Sequence, residues 1–334
     1  MKLTVVLISV LMFALASCNA PNTQQNKSSS QKENEGEQPS VNVPTFNEDS
    51  AFKFVKKQTE FGPRVPNTEA HDQCADYLTS KMKEFADTVI VQKGQVRAYN
   101  DDILNIQNII SIFNPGKSKR ILLGAHWDSR PYADHDPDKS VRWDPIQGAN
   151  DGASGVGVLM EIARVISKNN PNIGIDIIFF DAEDYGPPES NQSNKQDTWG
   201  LGSQYWARNP HNFGYDAYYG ILLDMVGAAN AKFLKERFST YYAPDVVDKV
   251  WNIAEKAGYG DYFPDEEGGM INDDHYYINE IIGIPMINII HLNPDSENGT
   301  FFEYWHTTED TIDKISPKTL DVVGTVVLNV LYRE

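Results

Sequence analysis

The sequence predicts an α/β fold, a three-layer sandwich whose central sheet is mixed, mainly parallel and flanked by helices. Segments 120–125, 173–180 and 284–290 are apolar over most of their length, as is typical of strands covered on both faces. Amphipathic segments lie between the strands, and the last has an inner stripe of Leu320, Val323, Val327 and Leu331. Strands that alternate with helices indicate a parallel sheet with a helical layer on each side.

The predicted elements begin near residue 47. Two amphipathic helices come first, over 49–60 and 67–85, and two strands rich in Val and Ile follow, over 89–99 and 103–113. The rest of the pattern predicts four more strands, over 120–125, 173–180, 218–223 and 284–290. It also predicts helices over 152–168 and 244–257 and a closing C-terminal helix.

The N-terminal region has the composition of an export signal and a tether. A basic residue, a short apolar run and small residues fill 1–17, which is the pattern of a signal peptide. The stretch LASC at 15–18 resembles the bacterial lipobox, so we expect cleavage before Cys18 and lipidation of its thiol. An ordinary signal peptide with an incidental cysteine is the alternative. Residues 18–44 contain almost nothing apolar and are predicted to be a disordered tether, which leaves a single domain over 45–334.

Composition limits the partners of this domain. The chain has 334 residues, of which 40% are hydrophobic and 23% are charged, and its formal net charge is -18. An acidic balance argues against nucleic acid and against anionic membrane surfaces. We therefore expect membrane contact only through lipidated Cys18, on the periplasmic side of a bacterial membrane. A monomer is the default expectation for the oligomeric state.

Acidic residues and a histidine follow the predicted strands where each strand ends. They are His126 and Asp128, then Asp181, Glu183 and Asp184 in the stretch IIFFDAEDYG, then Asp224. In open sheets of this kind ligands bind beyond the carboxyl ends of the strands, so we expect these side chains to meet at one edge. Neighbouring carboxylates raise each other's pKa, and a metal ion is one candidate for the compensating charge.

Each of these segments also has a structural interpretation when it is taken alone. Asp151 in GANDGASG could cap the helix that follows it, and Asp273 in GGMINDDHYYI could do the same. The acids after segment 173–180 could form a solvated turn. An isolated histidine such as His306 is more often structural than a ligand, although a preceding tryptophan, Trp305, is unusual in a polar loop.

Together, and in this order, the motifs resemble those of the zinc aminopeptidase superfamily. They are His-x-Asp at 126–128, Asn-Asp-Gly-Ala-Ser-Gly at 150–155, Phe-Phe-Asp-x-Glu-Asp at 179–184, Leu-Asp at 223–224 and His-Thr at 306–307. The segments HWDSRPYAD, DTWGLGSQYWA, LLDMVGA, NDDH and YWHTTEDT are similar to the cyclising branch, the glutaminyl cyclases (glutaminyl-peptide cyclotransferases), and to its bacterial members in particular. The resemblance extends from about residue 46 to the C-terminus.

The resemblance implies a role for each of these residues. Asp151, Asp184 and His306 would bind one Zn²⁺ per chain, in a site of the open, catalytic type. Glu183 would be the general acid and base. A further catalytic pair, hydrogen-bonded carboxylates beside Glu183, would be formed by Asp224 and Asp273. The second metal ligand departs from the animal cyclases, which have Glu where this chain has Asp184.

The resemblance also implies the walls and the support of the site. Trp199 and Trp305 would line the substrate pocket. The residues expected to support the site without binding the metal are His126, Asp128 and Asp181. The acidic run 134–138 lacks the glycine and the late glutamate of a calcium loop, and we expect it to be a solvated surface loop at the rim of the cleft.

The implied reaction closes the N-terminal glutamine of a peptide or protein into pyroglutamate and releases ammonia. Its nucleophile is the substrate's own α-amine, so it needs no nucleophilic serine or cysteine. A two-zinc aminopeptidase is the alternative, because His126 and Asp224 stand where such enzymes bind their second zinc. A non-catalytic binding protein of the same fold is a third interpretation.

Overall fold

The computed structural model describes residues 41–191 and 195–334, and it has the predicted α/β architecture. The predicted signal peptide (1–17), the lipidation at Cys18 and most of the tether (18–44) lie outside the described residues and stay predictions. Within the described part of the chain, every helix is too short or too polar to cross a bilayer.

One six-stranded sheet has the order β1-β2-β4-β3-β5-β6. Its strands are β1 Thr88–Arg97, β2 Ile103–Phe113, β3 Arg120–His126, β4 Gly174–Phe180, β5 Tyr219–Asp224 and β6 Met286–Ile290. The helices are α1 Glu48–Thr59, α2 Glu69–Phe85, α3 Ala153–Lys168, α4 Leu201–Arg208, α5 Arg237–Tyr242, α6 Pro244–Lys256, α7 Asp274–Ile281 and α8 Pro317–Tyr332.

The sheet is mixed and mainly parallel, as predicted. Strand β3 runs parallel to β4 and β5, and β5 runs parallel to β6, while β1 and β2 form an antiparallel edge. Alternate residues of β4 pack on opposite faces because side chains alternate across a strand. Ile177 and Phe179 join the core that holds α1, α3, α6 and α8, and Ile178 and Phe180 join the smaller core that holds α4 and α7.

The predicted boundaries agree with the structure to within a few residues. The helices that the pattern did not predict are α4, α5 and α7, which have 8, 6 and 8 residues. Segments of fewer than three turns contain too few apolar positions for a helical period to stand out. Helix α7 matters for the site, because Asp273 is its N-cap residue.

Helix α3 packs unusually close to the sheet, and this sets the position of the residue before it. A Cβ on Gly155 would lie 2.2 Å from the carbonyl oxygen of Leu223 in β5, so only glycine permits this approach. Helix α3 begins at Ala153, and its N-cap residue is Gly152, which makes no side-chain capping bond. The capping role considered for Asp151 is therefore wrong, and its carboxylate is free to face the strand ends.

Gly155→Ala is expected to destabilise the protein. The added methyl group meets backbone of β5, so we expect the free energy of unfolding to fall by about 1–3 kcal/mol, as for other overpacked cores. This net loss includes the roughly 1 kcal/mol that alanine gains over glycine in helix propensity. Denaturant titration of the domain measures it.

Gly116→Ala is the matched control, since nothing lies within 4 Å of a Cβ at that turn position. Its free energy of unfolding should match that of the wild type. Equal stabilities for the two variants would contradict the tight α3–β5 contact.

Candidate active site and metal centre

A cavity of about 350 Å³ lies at the carboxyl edge of the parallel strands. All of the predicted metal, catalytic and pocket residues line it, namely Asp151, Glu183, Asp184, Trp199, Asp224, Asp273, Trp305 and His306. Apolar surface comes from Met225, Met270, Ile271, Ile290 and Phe301. The volume is at the small end of the range for ligand sites, so the cavity suits one side chain rather than a long segment.

Asp151, Asp184 and His306 form a buried group that fits a metal ion. One ligand atom from each lies within 4.8 Å of the others. Nε2 of His306 is 3.3 Å from Oδ1 of Asp184 and 3.5 Å from Oδ2 of Asp151. Oδ2 of Asp184 is buried without a hydrogen-bond partner, which is costly for a carboxylate unless a cation binds it. One imidazole and two carboxylates with room for a further ligand are typical donors of a catalytic zinc.

Electrostatics at this group also favour a cation. Burial, together with the charge of Asp151, raises the pKa of Asp184 even though His306 is adjacent. A divalent ion between the two carboxylates would remove that repulsion. The residues present therefore fit zinc.

Asp128 holds the two adjacent acids that follow β4. Its Oδ1 accepts a hydrogen bond from the backbone N–H of Glu183 (3.0 Å), and its Oδ2 accepts one from that of Asp184 (3.2 Å). Both backbone groups are thus fixed by one buried carboxylate, and the two side chains leave the backbone in different directions. Asp184 reaches the metal group, and Glu183 faces the rest of the cavity.

Asp181, the third acid of the stretch, lies behind the cavity. Its carboxylate contacts Nε2 of His71 at 2.9 and 3.0 Å and accepts a hydrogen bond from the backbone N–H of Gln107 at 2.6 Å. His71 stacks on Trp127, with ring centroids 4.3 Å apart. Asp181 therefore orients neighbouring groups, as expected, and joins the end of β4 to α2 and β2.

Three carboxyl groups that do not belong to the metal group face one another across the cavity. Burial and the charge of Asp273 raise the pKa of Glu183 well above its usual range. Burial raises the pKa of Asp224 to about 7, with Asp273 adding to the shift and His126 opposing it. Groups coupled in this way exchange protons as a set.

The hydrogen bonds of Asp224 and Asp273 go to other partners, so these two carboxylates act on each other through charge. Oδ1 of Asp224 lies 3.3 Å from Nε2 of His126. Oδ2 of Asp273 accepts a hydrogen bond from Nδ2 of Asn288 at 2.6 Å, and its Oδ1 caps α7 through the N–H of Asp274. The capping role considered for Asp273 is correct, and the same side chain also lines the cavity.

His126 bridges the metal group and the carboxyl set. Its Nε2 lies 3.0 Å from Oδ1 of Asp151 and 3.3 Å from Oδ1 of Asp224, and its Nδ1 lies 3.5 Å from Asp128. Burial alone would lower the pKa of His126, but these carboxylates raise it well above its usual range. His126, Asp151 and Asp224 form a second group that could hold a metal ion, because one ligand atom from each lies within 4.8 Å of the others.

Arg130 and Asp134 are functional-site residues that the sequence analysis missed. The prediction of a solvated loop over 134–138 holds for residues 137 and 138, which are exposed, but it is wrong for Asp134, which is buried between Arg130 and His306. Nε and Nη2 of Arg130 each lie 2.7 Å from an oxygen of Asp134, whose Oδ1 is 3.5 Å from Nδ1 of His306. Nη1 of Arg130 also lies 3.2 Å from Oδ1 of Asp184. One buried guanidinium thus supports two of the three metal-group residues.

Asp310 is a further missed residue, and it fixes the loop that carries Asp151. Its carboxylate accepts hydrogen bonds from the backbone N–H groups of Asn150 (2.8 Å) and Asp151 (3.1 Å). Burial and the charge of Asp151 raise the pKa of Asp310 to about 8. The motif YWHTTEDT contains it, but its spacing gave no sign of this contact.

Two tryptophans, Trp305 and Trp199, flank His306. The Trp305 ring stacks on the imidazole with centroids 3.7 Å apart, and the Trp199 ring is nearly parallel to it at 6.3 Å. The guanidinium carbon of Arg130 lies 4.8 Å from the Trp199 ring centre, so this arginine supports the wall as well as the metal group. Gly186 packs against the indole of Trp199, where a Cβ would be 2.2 Å from a ring atom.

Arg130→Lys is expected to weaken zinc binding by about 10- to 100-fold, the usual effect of losing a partner of metal ligands. An ammonium group cannot hold both oxygens of Asp134 and also reach Asp184, so His306 and Asp184 lose their fixed orientation. Competition with a zinc chelator measures the affinity.

Arg164→Lys is the matched control, because Arg164 makes a similar two-pronged pair with Glu161 that lies outside the cavity lining. Its zinc affinity should stay at the wild-type value. Equal affinities for both variants would show that Arg130 does not support the metal group.

Known proteins are similar to this chain in fold and in sequence. Residues 108–331 match the model of peptidase family M28. A solved glutaminyl cyclase of Tannerella forsythia is 54% identical with a TM-score of 0.85, and 87% of this chain covers 100% of that one. A Zn-dependent exopeptidase of Parabacteroides distasonis is 52% identical with a TM-score of 0.86, over 88% and 100% of the chains.

A more distant relative is a peptidase by name. Aminopeptidase YwaD of Bacillus subtilis is 31% identical over 234 residues, which are 68% of this chain. The chain spans only 44% of the length of that relative. The family match covers most of the domain and the metal group lies within it, so the chain belongs to peptidase family M28.

Proposed function

We propose that the protein is a zinc-dependent glutaminyl-peptide cyclotransferase. It would cyclise the N-terminal glutamine of peptides or proteins to pyroglutamate and release ammonia. The observation that carries the proposal is a metal group beside a carboxyl of raised pKa, Glu183, in a small aromatic-walled cavity. Neither serine nor cysteine lines that cavity among residues 41–191 and 195–334. A reaction whose nucleophile is the substrate's own amine needs neither.

The reaction forms one C–N bond and breaks another at the same carbon. The α-nitrogen of the glutamine attacks its own γ-carbonyl carbon, and the carboxamide nitrogen leaves as ammonia. A zinc ion held by Asp151, Asp184 and His306 would polarise that carbonyl. Glu183 accepts the proton from the attacking nitrogen and donates it to the leaving nitrogen. Its raised pKa suits both transfers, because a carboxyl of ordinary pKa is a weak base.

The other residues of the cavity position the substrate and exclude water. Trp199 and Trp305 form an apolar wall that holds the glutamine side chain folded back on its amine, so that the attack is intramolecular. Water excluded from the cavity cannot compete with the amine. Asp273 raises the pKa of Glu183 through its charge, and it raises the pKa of Asp224 in the same way.

We further propose that the site binds one zinc per chain. In support, His126 contacts both Asp151 and Asp224, so an imidazolium supplies positive charge where a second metal would bind. The second candidate function is a two-zinc aminopeptidase, which the second group of His126, Asp151 and Asp224 favours. The cyclase is preferred because the solved relative from Tannerella forsythia, which is 54% identical in sequence, is named a glutaminyl cyclase.

Incubation of the domain from residue 45 with a Gln-initiated peptide should give a product lighter by one ammonia, measured by mass spectrometry. The purified protein should contain one zinc per chain, and a chelator should abolish the product. Free glutamine with two zincs per chain would identify the aminopeptidase instead.

Glu183→Gln is the control against a contaminating activity. Without a proton acceptor we expect a rate lower by about 10²- to 10⁴-fold, with zinc still bound through the unchanged metal group. A Glu183→Gln protein as active as the wild type would contradict the role of Glu183.

The location proposed for the protein rests on the N-terminal sequence alone. We propose that Cys18 is lipidated and anchors the protein, as a monomer, to a bacterial membrane with its domain facing the periplasm. Radiolabelled palmitate should label the wild type and Cys74→Ser, and it should not label Cys18→Ser. Cys74 is a suitable control because it is the other cysteine of the chain and is buried in the domain. Label retained by Cys18→Ser would contradict the anchor.

A further inference from the structure

Glu236 is a fully buried carboxylate that has no part in the mechanism above. It caps the short helix α5, and its two oxygens accept hydrogen bonds from the backbone N–H groups of Phe238 (2.8 Å) and Ser239 (2.6 Å). Capping needs no more than these bonds. Glu236 nevertheless binds further groups on a different segment, which indicates a second role.

The additional bonds bracket the cavity residue Asp273. Oε1 of Glu236 accepts a hydrogen bond from the backbone N–H of Ile271 at 3.0 Å. Oε2 lies 2.9 Å from Nε2 of His275, which is also fully buried. Ile271 is two residues before Asp273, and His275 is two residues after it. One carboxylate therefore contacts the backbone on one side, and the imidazole side chain on the other side, of a residue that lines the cavity.

A further connection runs from Glu236 to the carboxylate of Asp273 itself. The hydroxyl of Ser239 donates to Oε2 of Glu236 (2.8 Å) and accepts from the backbone N–H of Asn288 in β6 (2.8 Å). Nδ2 of Asn288 donates to Oδ2 of Asp273 (2.6 Å). Each member of this chain of contacts is buried, so a displacement at Glu236 is passed on rather than absorbed by solvent.

The segment before Asp273 has little other support. Residues 268–272 belong to neither a helix nor a strand, and Met270 is 62% exposed at the rim of the cavity. The N–H of Arg237 donates to the carbonyl of Gly269 at 3.0 Å, and the N–H of Gly268 donates to the carbonyl of Lys235 at 2.8 Å. The side chain of Asn272 donates to the hydroxyl of Tyr277 at 3.1 Å. The backbone contacts of this wall therefore come from residues 235–237, with Glu236 at their centre.

The charge of Glu236 is permanent in the folded protein. Burial opposes ionisation, but the contact with His275 and the N–H donors lower the pKa of Glu236 to about 2. An ionised carboxylate accepts stronger hydrogen bonds than a neutral amide. A side-chain amide has one acceptor oxygen, so only a carboxylate, which accepts on both oxygens, can pair with all of these donors.

We infer that Glu236 is a positioning residue for the proposed reaction, which fixes Asp273 against Glu183 by holding Ile271 and His275. The inference rests on the proposed function. Asp273 lines the same cavity as Glu183, so its displacement changes the surroundings in which the proton transfer takes place and reduces kcat. The metal group lies on other segments and should be unaffected.

Glu236→Gln tests this inference, because the amide nitrogen cannot accept the bonds that one carboxylate oxygen now accepts. We expect kcat for cyclisation to fall about 10- to 100-fold, since misplacement of about 1 Å has effects of this size. KM should change less, and zinc content should remain that of the wild type. Kinetics and metal analysis are made on full-length protein at a temperature where all variants are folded.

Glu161→Gln is the matched control. Glu161 is a fully buried glutamate on α3 that pairs with Arg164 and accepts from the N–H of Asn47, and it lies outside the cavity lining. This variant should lose stability as Glu236→Gln does while it keeps wild-type kcat and KM. The comparison separates positioning from general destabilisation.

The outcomes that overturn the inference are specific. Wild-type kcat in a destabilised Glu236→Gln protein would leave Glu236 with a structural role alone. Loss of zinc together with activity would show that it supports the whole site. If Glu236→Gln does not fold, Ser239→Ala removes one connecting hydroxyl and should lower kcat to a smaller extent, and unchanged kcat in that variant would overturn the inference. Free glutamine from the wild type would overturn the proposed function instead, and the variants would then be compared on that reaction.

Discussion

Repulsion among buried carboxylates is the constraint on which the structure of the site depends. Four parallel strands end at one edge of the sheet, and the residues that follow three of them bring acidic side chains into a largely buried space. Uncompensated charges in such a space cost several kcal/mol each, so every carboxylate needs a cation, a set of N–H donors or a proton. The chain uses all three. Arg130 and His126 supply charge, the metal group provides a place for zinc, and the remaining carboxyls have raised pKa values.

The acids of the site fall into two classes according to their hydrogen-bond donors. Those outside the cavity accept backbone N–H bonds and position the segments that carry functional groups, and they are Asp128, Asp134, Asp181, Asp310 and Glu236. Those that line the cavity have fewer donors, which leaves their oxygens available to a metal or a proton. Rigid support and chemical reactivity thus come from the same residue type in different surroundings.

Arg130 connects these classes. Its guanidinium binds Asp134, touches Asp184 and lies against Trp199, so the metal group and the pocket wall share one support. A planar group with several fixed donors can do this, whereas a lysine offers a single charged point. Asp184 of the metal group has a short side chain, and it lies within the reach of this support.

The sequence by itself determined the sheet, the helices of three or more turns and the edge at which the acids gather, because hydrophobic periodicity is a local property of the chain. The order of the motifs, through the family resemblance, also indicated the polar residues and tryptophans that line the cavity. Only the tertiary structure decided that Asp151 does not cap α3. The tertiary structure also decided which residues hold the site residues in position. Asp136 accepts a hydrogen bond from the N–H of Thr308, and Asp134 contacts His306. The two residues of each pair are 172 positions apart in the sequence. No local pattern could have predicted contacts that exist only once the strands are assembled.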